Sequence, residues 1–486
     1  MKVPENKTGP KGGDNLPVLY VCLNGTLVAT DTLWESVFRL IRSKPLLLLA
    51  LPLWLARGKA WFRHRMARAM VLDPSSLPYR NKVIEYLRSQ KASGRQLVLA
   101  TSAHQKIASA VAAYLGLFEA VLASDESRNL AGKYKLEAIR SHGGGDNFEF
   151  VCTGSSDGPV MKAAASISLV NPGRRILART KEKSKIDRIL VEPASRVKAT
   201  IASLRLHHWT KNLLLAVPLI LAQQWNNTEF IGLVAIAMLC VCLAASSIYI
   251  CNDLFDLAAD RAHPVKSKRP LASGALEIST AVRVATILLA AGVFLALVLL
   301  PKDFVLLLLA YVLTALAYSV HLKRRLVLDV IVLAGLYTLR IFAGGAAVGI
   351  PVSAWLLGFS MFFFLSLAFA KRSSEVAVSN VKAGKSSHER PYLGCDLDIF
   401  RSAGSACGLL SVLVLALYIN SPAVRPLYRH PQVLWLLCPV LLYWILRVWF
   451  LTLRTETDDD PVILALRDRA SYVVGALTLL ILAVAS

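Results

Sequence analysis

The chain has 486 residues, 55% of them apolar and 18% charged, with a mean hydropathy of +0.51. That excludes a single water-soluble globule, and the length allows two or three domains. The formal net charge of +23, from 55 basic and 32 acidic residues, admits nucleic acid, anionic lipid or phosphorylated substrates.

Apolar residues are unevenly placed. Met1 to about Arg205 mixes charge with short apolar runs. Beyond it come repeated stretches of about 16–23 residues with few charges, long enough to cross a hydrocarbon core of about 30 Å. The expectation is a soluble domain followed by a polytopic membrane domain, with the excess charge on cytoplasmic loops and phosphate ligands and no nucleic-acid partner. Residues 1–16 are polar and Gly/Lys-rich, without a signal peptide, so they are expected to be disordered and the domain after them cytoplasmic.

The first ordered stretch, "VLYVCLNGTLVAT" (18–30), reads as a strand that breaks at Asn24-Gly25-Thr26 and leads toward a helix. "LVLATSAH" is a strand ending at Thr101-Ser102, "NLAGKYKLEAI" offers Lys135, and "FEFVCTGSSDGPV" is a strand ending before Asp157. These four landmarks resemble the motifs of haloacid dehalogenase (HAD) phosphatases. The resemblance implies an α/β Rossmann-like domain over 17–180, with a helical cap at about 32–92. Three positions depart from that pattern. Cys22 stands where the aspartate nucleophile belongs, Asn24 where the acid/base aspartate belongs, and Thr153 in place of a metal-binding acid. A carboxylate that attacks phosphorus and helps bind Mg²⁺ is therefore missing, and the domain is expected to be an inactive phosphatase. An unusual cysteine enzyme and a mistaken alignment are the other readings.

Within the cap, "PLLLLALPLWLA" (45–56) is too short to span a bilayer and precedes the basic, aromatic "RGKAWFRHRMARAM". It reads either as a segment lying in the membrane interface or as a buried core helix. Residues 181–204 read as a linker and interface helix. Eight cysteines show no metal-ligand spacing and are expected to be free thiols.

Candidate spans follow at about 209–223, 230–252, 279–300, 304–320, 328–349, 354–370, 402–420, 432–450 and 470–485. Alternate loops carry the bases: Arg261 to Arg269, Lys323 to Arg325, Lys371 to Arg390, and Arg454 to Arg469. By the positive-inside rule these loops share the cytoplasm with the N-terminal domain. The expected location is a bacterial inner membrane.

"SIYICNDLFDLAADRAHPVKSKRPLASG" (247–274) begins inside an apolar span and delivers Asn252, Asp253, Asp256 and Asp260. On one continuous helix, Asn252, Asp256 and Asp260 would share an arc of about 80°. Oxygen donors sunk at a membrane boundary are costly unless a cation or a water-filled cavity receives them, and such donors suit Mg²⁺ on a diphosphate. The bases behind them would grip phosphate oxygens; a solvated helix end with surface ion pairs is the bland alternative. A second cluster comprises Tyr318, Lys323, Asp329 and Arg340, with Asp329 and Arg340 either functional or paired with each other. "RLHHWTKN" adds Arg205, Trp209, Lys211 and Asn212, and Lys371-Arg372 ends the sixth span. The simplest account is one cavity open to the cytoplasm. His207, His208, His263 and His321 read as polar interface residues.

At these residues the chain resembles the UbiA superfamily of intramembrane prenyltransferases, whose NDxxDxxxD motif is matched at Asn252-Asp253, Asp256 and Asp260. Within it, "RLHHWTKN", "YSVHLKRRLVLDV", "LYTLRIFAGG" and "AKRSSEV" are most similar to the decaprenyl-phosphate phosphoribosyltransferases. The resemblance implies an all-α membrane domain of about nine helices over 205–486. It also implies transfer of phosphoribose from 5-phosphoribosyl diphosphate to a polyprenyl phosphate. Asn252, Asp253, Asp256 and Asp260 would hold Mg²⁺ and act in catalysis. Lys211, Asn212, Lys266, Arg269 and Lys323 would meet phosphates, and Tyr318, Asp329 and Arg340 would complete the cavity floor. A prenyl diphosphate donor with an aromatic or other acceptor is the runner-up, and a non-catalytic lipid-phosphate binder the reading from another class.

Overall fold

A computed structural model describes residues 16–145, 147–154, 157–173, 176, 186–190, 195–382, 392–422, 424, 427–454 and 468–485. The N-terminal tail, Lys385, Arg390 and most of the basic loop from Arg454 to Arg469 lie outside them. The chain divides into two compact units, Met1–Thr200 with Asp260–Thr280, and Ile201–Ala259 with Ala281–Ser486. The single boundary near residue 205 expected from sequence is therefore incomplete: a segment following the acidic motif belongs with the N-terminal unit.

The N-terminal unit is built on six parallel strands: β1 (Leu19–Val21), β2 (Leu97–His104), β3 (Ala120–Ser124), β4 (Glu149–Cys152), β5 (Ser166–Val170) and β6 (Ile186–Leu190). Their spatial order is β3-β2-β1-β4-β5-β6, with every pairing parallel. The central strands read as near-continuous apolar runs because both faces are covered. Alternation sends Leu19, Val21, Leu97 and Leu99 into one core and Tyr20, Val98, Phe150 and Ile167 into another. β6 falls inside the stretch expected to be a linker, so the sheet extends to Leu190.

Between β1 and β2 lie four helices: α1 (Thr32–Ser43), α2 (Leu51–Ala56), α3 (Lys59–Ala69) and α4 (Asn81–Ala92). Asp31 caps α1, its carboxylate accepting the Leu33 N–H at 2.8 Å. Pro45–Ala50 forms a 3-10 turn ahead of α2. Further on come α5 (Gln105–Leu115), α6 (Lys133–Ile139), α7 (Gly158–Ala163) and α8 (Arg196–Ser203). The strand order reverses between β1 and β4, and the crevice outside the carboxyl ends there is where such sheets bind ligands. Cys22 directly follows β1 at that point.

The second unit is helical. A 3-10 segment, Leu206–Ala216, runs into α9 (Val217–Leu221), then α10 (Thr228–Phe255), α11 (Leu257–Ala262), α12 (Ile278–Leu299), α13 (Lys302–Val320), α14 (Leu328–Ala347), α15 (Ala354–Lys382), α16 (Leu397–Ile419), α17 (Leu437–Arg454) and α18 (Arg469–Ala485). Among the described residues, seven helical stretches are long and apolar enough to cross a membrane, so the chain is a multi-pass membrane protein. The nine expected spans reduce to these seven plus two shorter apolar segments. Pro218, in the first turn of α9, lacks an N–H to continue the preceding 3-10 turn, so the first is split. The last, α18, has 17 residues.

Candidate functional site

The acidic motif sits at a helix break. α10 ends at Phe255, and Asp256 is its C-cap, donating its N–H to the Asn252 carbonyl at 3.0 Å. α11 then starts afresh at Leu257. The single continuous helix expected to carry Asn252, Asp256 and Asp260 is thus interrupted at Asp256.

Lys323, in the 3-10 turn Leu322–Arg324 after α13, reaches into this break. Its ammonium donates to Asn252 Oδ1 at 3.2 Å and to the Asp256 carboxylate. Two oxygens four positions apart therefore converge on one buried cation. Asp253 points elsewhere, its Oδ1 accepting from Arg205 Nη2 at 2.5 Å. Arg205 occupies a left-handed backbone conformation, φ 52°, and its guanidinium stacks over Tyr249. In the N-terminal unit, both oxygens of Asp260 accept from Arg269 Nη1, at 2.9 and 2.7 Å, and Lys266 opens the 3-10 turn Lys266–Lys268.

Hard oxygen donors already gathered around a positive charge fit Mg²⁺, which binds through one or two protein oxygens and completes its shell with phosphate and water. Asn252 and Asp256 meet that description. Among the described residues, no three His, Cys, Asp or Glu side chains are grouped so as to hold a metal by themselves.

A second polar nest is built on α14. A Cβ on Gly344 would lie 2.0 Å from the Leu215 carbonyl oxygen, so only glycine lets the 206–216 segment pack this closely. One helical turn earlier, Arg340 donates Nε to Asn212 Oδ1 at 2.8 Å, Nη2 to the Tyr311 hydroxyl at 2.8 Å and Nη1 to the Leu336 carbonyl at 2.7 Å. Its described acceptors are all neutral, and its guanidinium lies over Tyr311 and Tyr337. Lys211 also lies over the Tyr337 ring, at 5.5 Å.

Asp329 does not pair with Arg340. The Arg372 Nε donates to its Oδ2 at 2.5 Å and the Tyr318 hydroxyl to its Oδ1 at 2.8 Å, while Arg372 Nη2 donates to Tyr318 at 2.7 Å. Asp329 is 0% and Arg372 1% exposed, and Glu375 also accepts from Arg372. α15 continues past Lys371 and Arg372, which therefore lie within the helix rather than at its end. Tyr311, Tyr337 and Glu375 were not singled out from sequence. Their signal was helical spacing: Tyr311 lies seven residues before Tyr318, Tyr337 three before Arg340, and Glu375 three after Arg372.

In the N-terminal unit, Cys22, Lys135 and Asp157 form one buried cluster at the sheet's switch point. The Cys22 thiol donates to Asp157 Oδ2 at 3.0 Å, and the Lys135 ammonium donates to Asp157 Oδ1 at 2.7 Å and to the sulfur at 3.3 Å. Burial, reinforced by the Asp157 charge and opposed by Lys135, pushes the Cys22 thiol pKa well up. Burial works against the Lys135 ammonium, but Cys22 and Asp157 outweigh it and hold its pKa above the ordinary lysine value. Thr101 is buried, its hydroxyl accepting the Ala103 N–H at 3.0 Å. Asn24 is spent on local structure, its Oδ1 accepting the Thr32 N–H at 3.2 Å at the start of α1. Thr153 lies beside Gly25, φ 74°, where a Cβ would come within 3.3 Å of its methyl group. From α3, Arg63 donates to the Ser102 carbonyl at 2.6 Å and to Asn129 Oδ1 at 2.5 Å, tying the cap to the end of β2.

The UbiA prenyltransferase family model matches residues 213–467, just over half of the chain. An uncharacterized protein of Sinorhizobium fredii, y4nM, is 34% identical over 460 residues, spanning 94% of this chain and 88% of its own length. The decaprenyl-phosphate phosphoribosyltransferase of Mycolicibacterium smegmatis is 34% identical over 197 residues, 40% of this chain and 62% of that enzyme. A solved structure of a UbiA homologue from Archaeoglobus fulgidus, bound to DMAPP and Mg²⁺, aligns with 60% of this chain and all of its own at 17% identity, with a TM-score of 0.45. With an acidic motif at a membrane-helix end, basic side chains drawn to it and this match in sequence, the chain belongs to the UbiA prenyltransferase family.

Proposed function

We propose that the membrane unit transfers the phosphoribosyl group of 5-phosphoribosyl diphosphate to a polyprenyl phosphate, releasing diphosphate and using Mg²⁺. The observation that supports this most directly is the convergence of Asn252 and Asp256 on the Lys323 ammonium, a ready-made seat for a cation and the anion it carries. The second support is Arg340, a buried guanidinium whose described acceptors are neutral. Such a charge is costly in a membrane interior and is stabilised when an anion arrives.

In this reading Asn252 and Asp256 hold the Mg²⁺, whose chemistry is to neutralise charge on the leaving diphosphate. Lys323 supplies a fixed positive charge to the same oxygens. Arg205 orients Asp253, and Arg340 with Asn212 and Lys211 receives the second phosphate group. Tyr318, Asp329 and Arg372 hold α13, α14 and α15 together behind these residues. The bond between the anomeric carbon and the diphosphate oxygen breaks, and the electron pair leaves with diphosphate. An oxygen of the lipid phosphate forms the new bond, and being already an anion it needs no general base. Fixed charges aimed at the departing oxygens act most strongly where water is scarce.

A prenyl diphosphate donor is the second reading, favoured by the family's own name, since the leaving group is the same. The N-terminal unit is assigned as a HAD-like pseudophosphatase, because Cys22 is a protonated thiol locked to Asp157 and Lys135 and Asn24 is engaged in capping. Its side of the bacterial inner membrane is assigned as cytoplasmic by the loop charges.

The test is incorporation of radiolabelled phosphoribosyl diphosphate into a lipid fraction by the purified protein with polyprenyl phosphate. Mg²⁺-dependent label that disappears in Asp256→Asn is the expected result. Label only from a prenyl diphosphate moves the assignment to the second reading, and no transfer from either donor overturns both. Robust phosphatase activity abolished by Cys22→Ser would refute the pseudophosphatase assignment.

A further inference from the structure

The cap of the N-terminal unit has two apolar faces where a soluble domain needs one. Leu47, Leu51 and Trp54 pack inward with Leu40, Met66 and Met70. On the same 3-10 turn and helix, Leu46, Leu49, Leu53 and Leu55 point outward and are 83%, 80%, 70% and 56% exposed. Four exposed leucines between positions 46 and 55 differ from the singly scattered apolar residues of ordinary surfaces.

The charge around this face is one-sided. Residues 36–72 contain eight Lys or Arg and no Asp or Glu. Lys44, Arg57, Lys59, Arg65 and Arg68 are exposed around the leucines. Trp61 is flanked by two of them, with the Arg57 and Arg65 guanidinium groups 5.6 and 5.0 Å from its ring. The neighbouring acid is Glu126, which lines a groove with Arg57, Lys59 and Trp61 and pairs with His64.

We propose that this outer face is a docking surface for an anionic phospholipid bilayer, with the four leucines entering the acyl boundary and the basic ring meeting lipid phosphates. Leucine and tryptophan on one side with arginine and lysine around them is the composition of an interfacial segment. Each base near an anionic leaflet adds attraction that salt screens. A second copy of the chain is disfavoured as the occupant because it would bring two such predominantly basic surfaces together. A nucleic acid would leave the leucines uncovered.

The experiment uses the full chain in vesicles. Leu53→Cys and, as a control on α4, Glu85→Cys are made in a Cys395→Ser background and labelled with the environment-sensitive fluorophore NBD. Quenching by doxyl-labelled phospholipid is then compared between the two sites. The expected result is several-fold stronger quenching at position 53 than at position 85. It should weaken in zwitterionic vesicles and in the Arg57→Glu/Lys59→Glu variant. Leu49→Cys provides the same readout should Leu53→Cys fail to fold. Equal, water-like emission at both positions overturns the proposal. So does a blue-shifted but unquenched probe at position 53, which would place a protein surface there instead of lipid.

Discussion

The Glu35 carboxylate, in the first turn of α1, receives the Arg261 guanidinium at 2.6 and 3.1 Å; Glu35 is buried and the Arg261 side chain is 9% exposed. Arg261 directly follows the last acid of the NDxxDxxxD motif, so Asp260–Thr280 is anchored in the N-terminal unit at its first turn. Arg261 also donates to the carbonyls of Ala272 and Ser76, and Gly274, φ 76°, leaves room for Ala29. This segment is clasped at both ends by the N-terminal unit.

Breaking that pair from one side leaves an uncompensated buried charge, which costs about 3–5 kcal/mol. Glu35→Gln should therefore destabilise the N-terminal unit and open residues 260–280 to limited proteolysis. The reversed pair Glu35→Arg/Arg261→Glu should recover part of the loss. A double-mutant cycle on the unfolding midpoint measures the coupling, and additive effects would show that the pair contributes little.

Lys323→Met removes the cation on which Asn252 and Asp256 converge. Losing one fixed charge at a leaving group costs about 10²–10³-fold in turnover. The expected outcome is a fall of that order in label transfer from phosphoribosyl diphosphate, with the protein still extracted folded from the membrane. Lys323→Arg should retain more activity than Lys323→Met, because the charge survives while its geometry changes.

What the sequence made legible was what is energetically conspicuous. Carboxylates at Asp253, Asp256 and Asp329 stand out in apolar surroundings because such placement is costly, and the strands around Tyr20, Val98 and Phe150 stand out as apolar runs closed by turns. The break at Asp256 was hidden, since no glycine or proline marks it and the partners beside it, Lys323 on Asp256 and Arg205 on Asp253, come from distant segments. The partners of Asp329 and Arg340 were equally hidden. Both lie on α14, but Arg372 of α15 claims the acid and Asn212 of the 206–216 segment shares the base. Periodicity could not show that Asp260–Thr280 folds with the first unit, because Glu35 and Arg261 are 226 positions apart.

Arg340 separates charge from geometry. Arg340→Lys keeps the charge but loses the fork that reaches Asn212, Tyr311 and the Leu336 carbonyl together. Arg340→Met loses both. If the guanidinium receives a phosphate group, Arg340→Lys should lower kcat/KM by about tenfold and Arg340→Met by a further factor of ten or more. Steady-state kinetics against each substrate identify which anion it meets. Equal losses in the two variants would mean that the residue serves packing alone.

The Cys22 thiol gives a test by pH. Burial first, then the Asp157 charge, raises its pKa well above the ordinary value, and burial pushes the Cys152 thiol up to about 12. The folded unit thus holds these protons more tightly than the unfolded chain, whose thiols titrate near about 8.5. The resulting stabilisation is fully present below that unfolded value and is lost as pH rises through the folded ones. The melting temperature of the N-terminal unit should accordingly fall on the alkaline side, and Cys22→Ala/Cys152→Ala should flatten that limb. Because the thiolate is the reactive form, iodoacetamide should modify Cys22 far more slowly at neutral pH than the exposed Cys395. Rapid labelling of Cys22 at neutral pH would mean that the thiol is ionised and would reopen its role as a nucleophile.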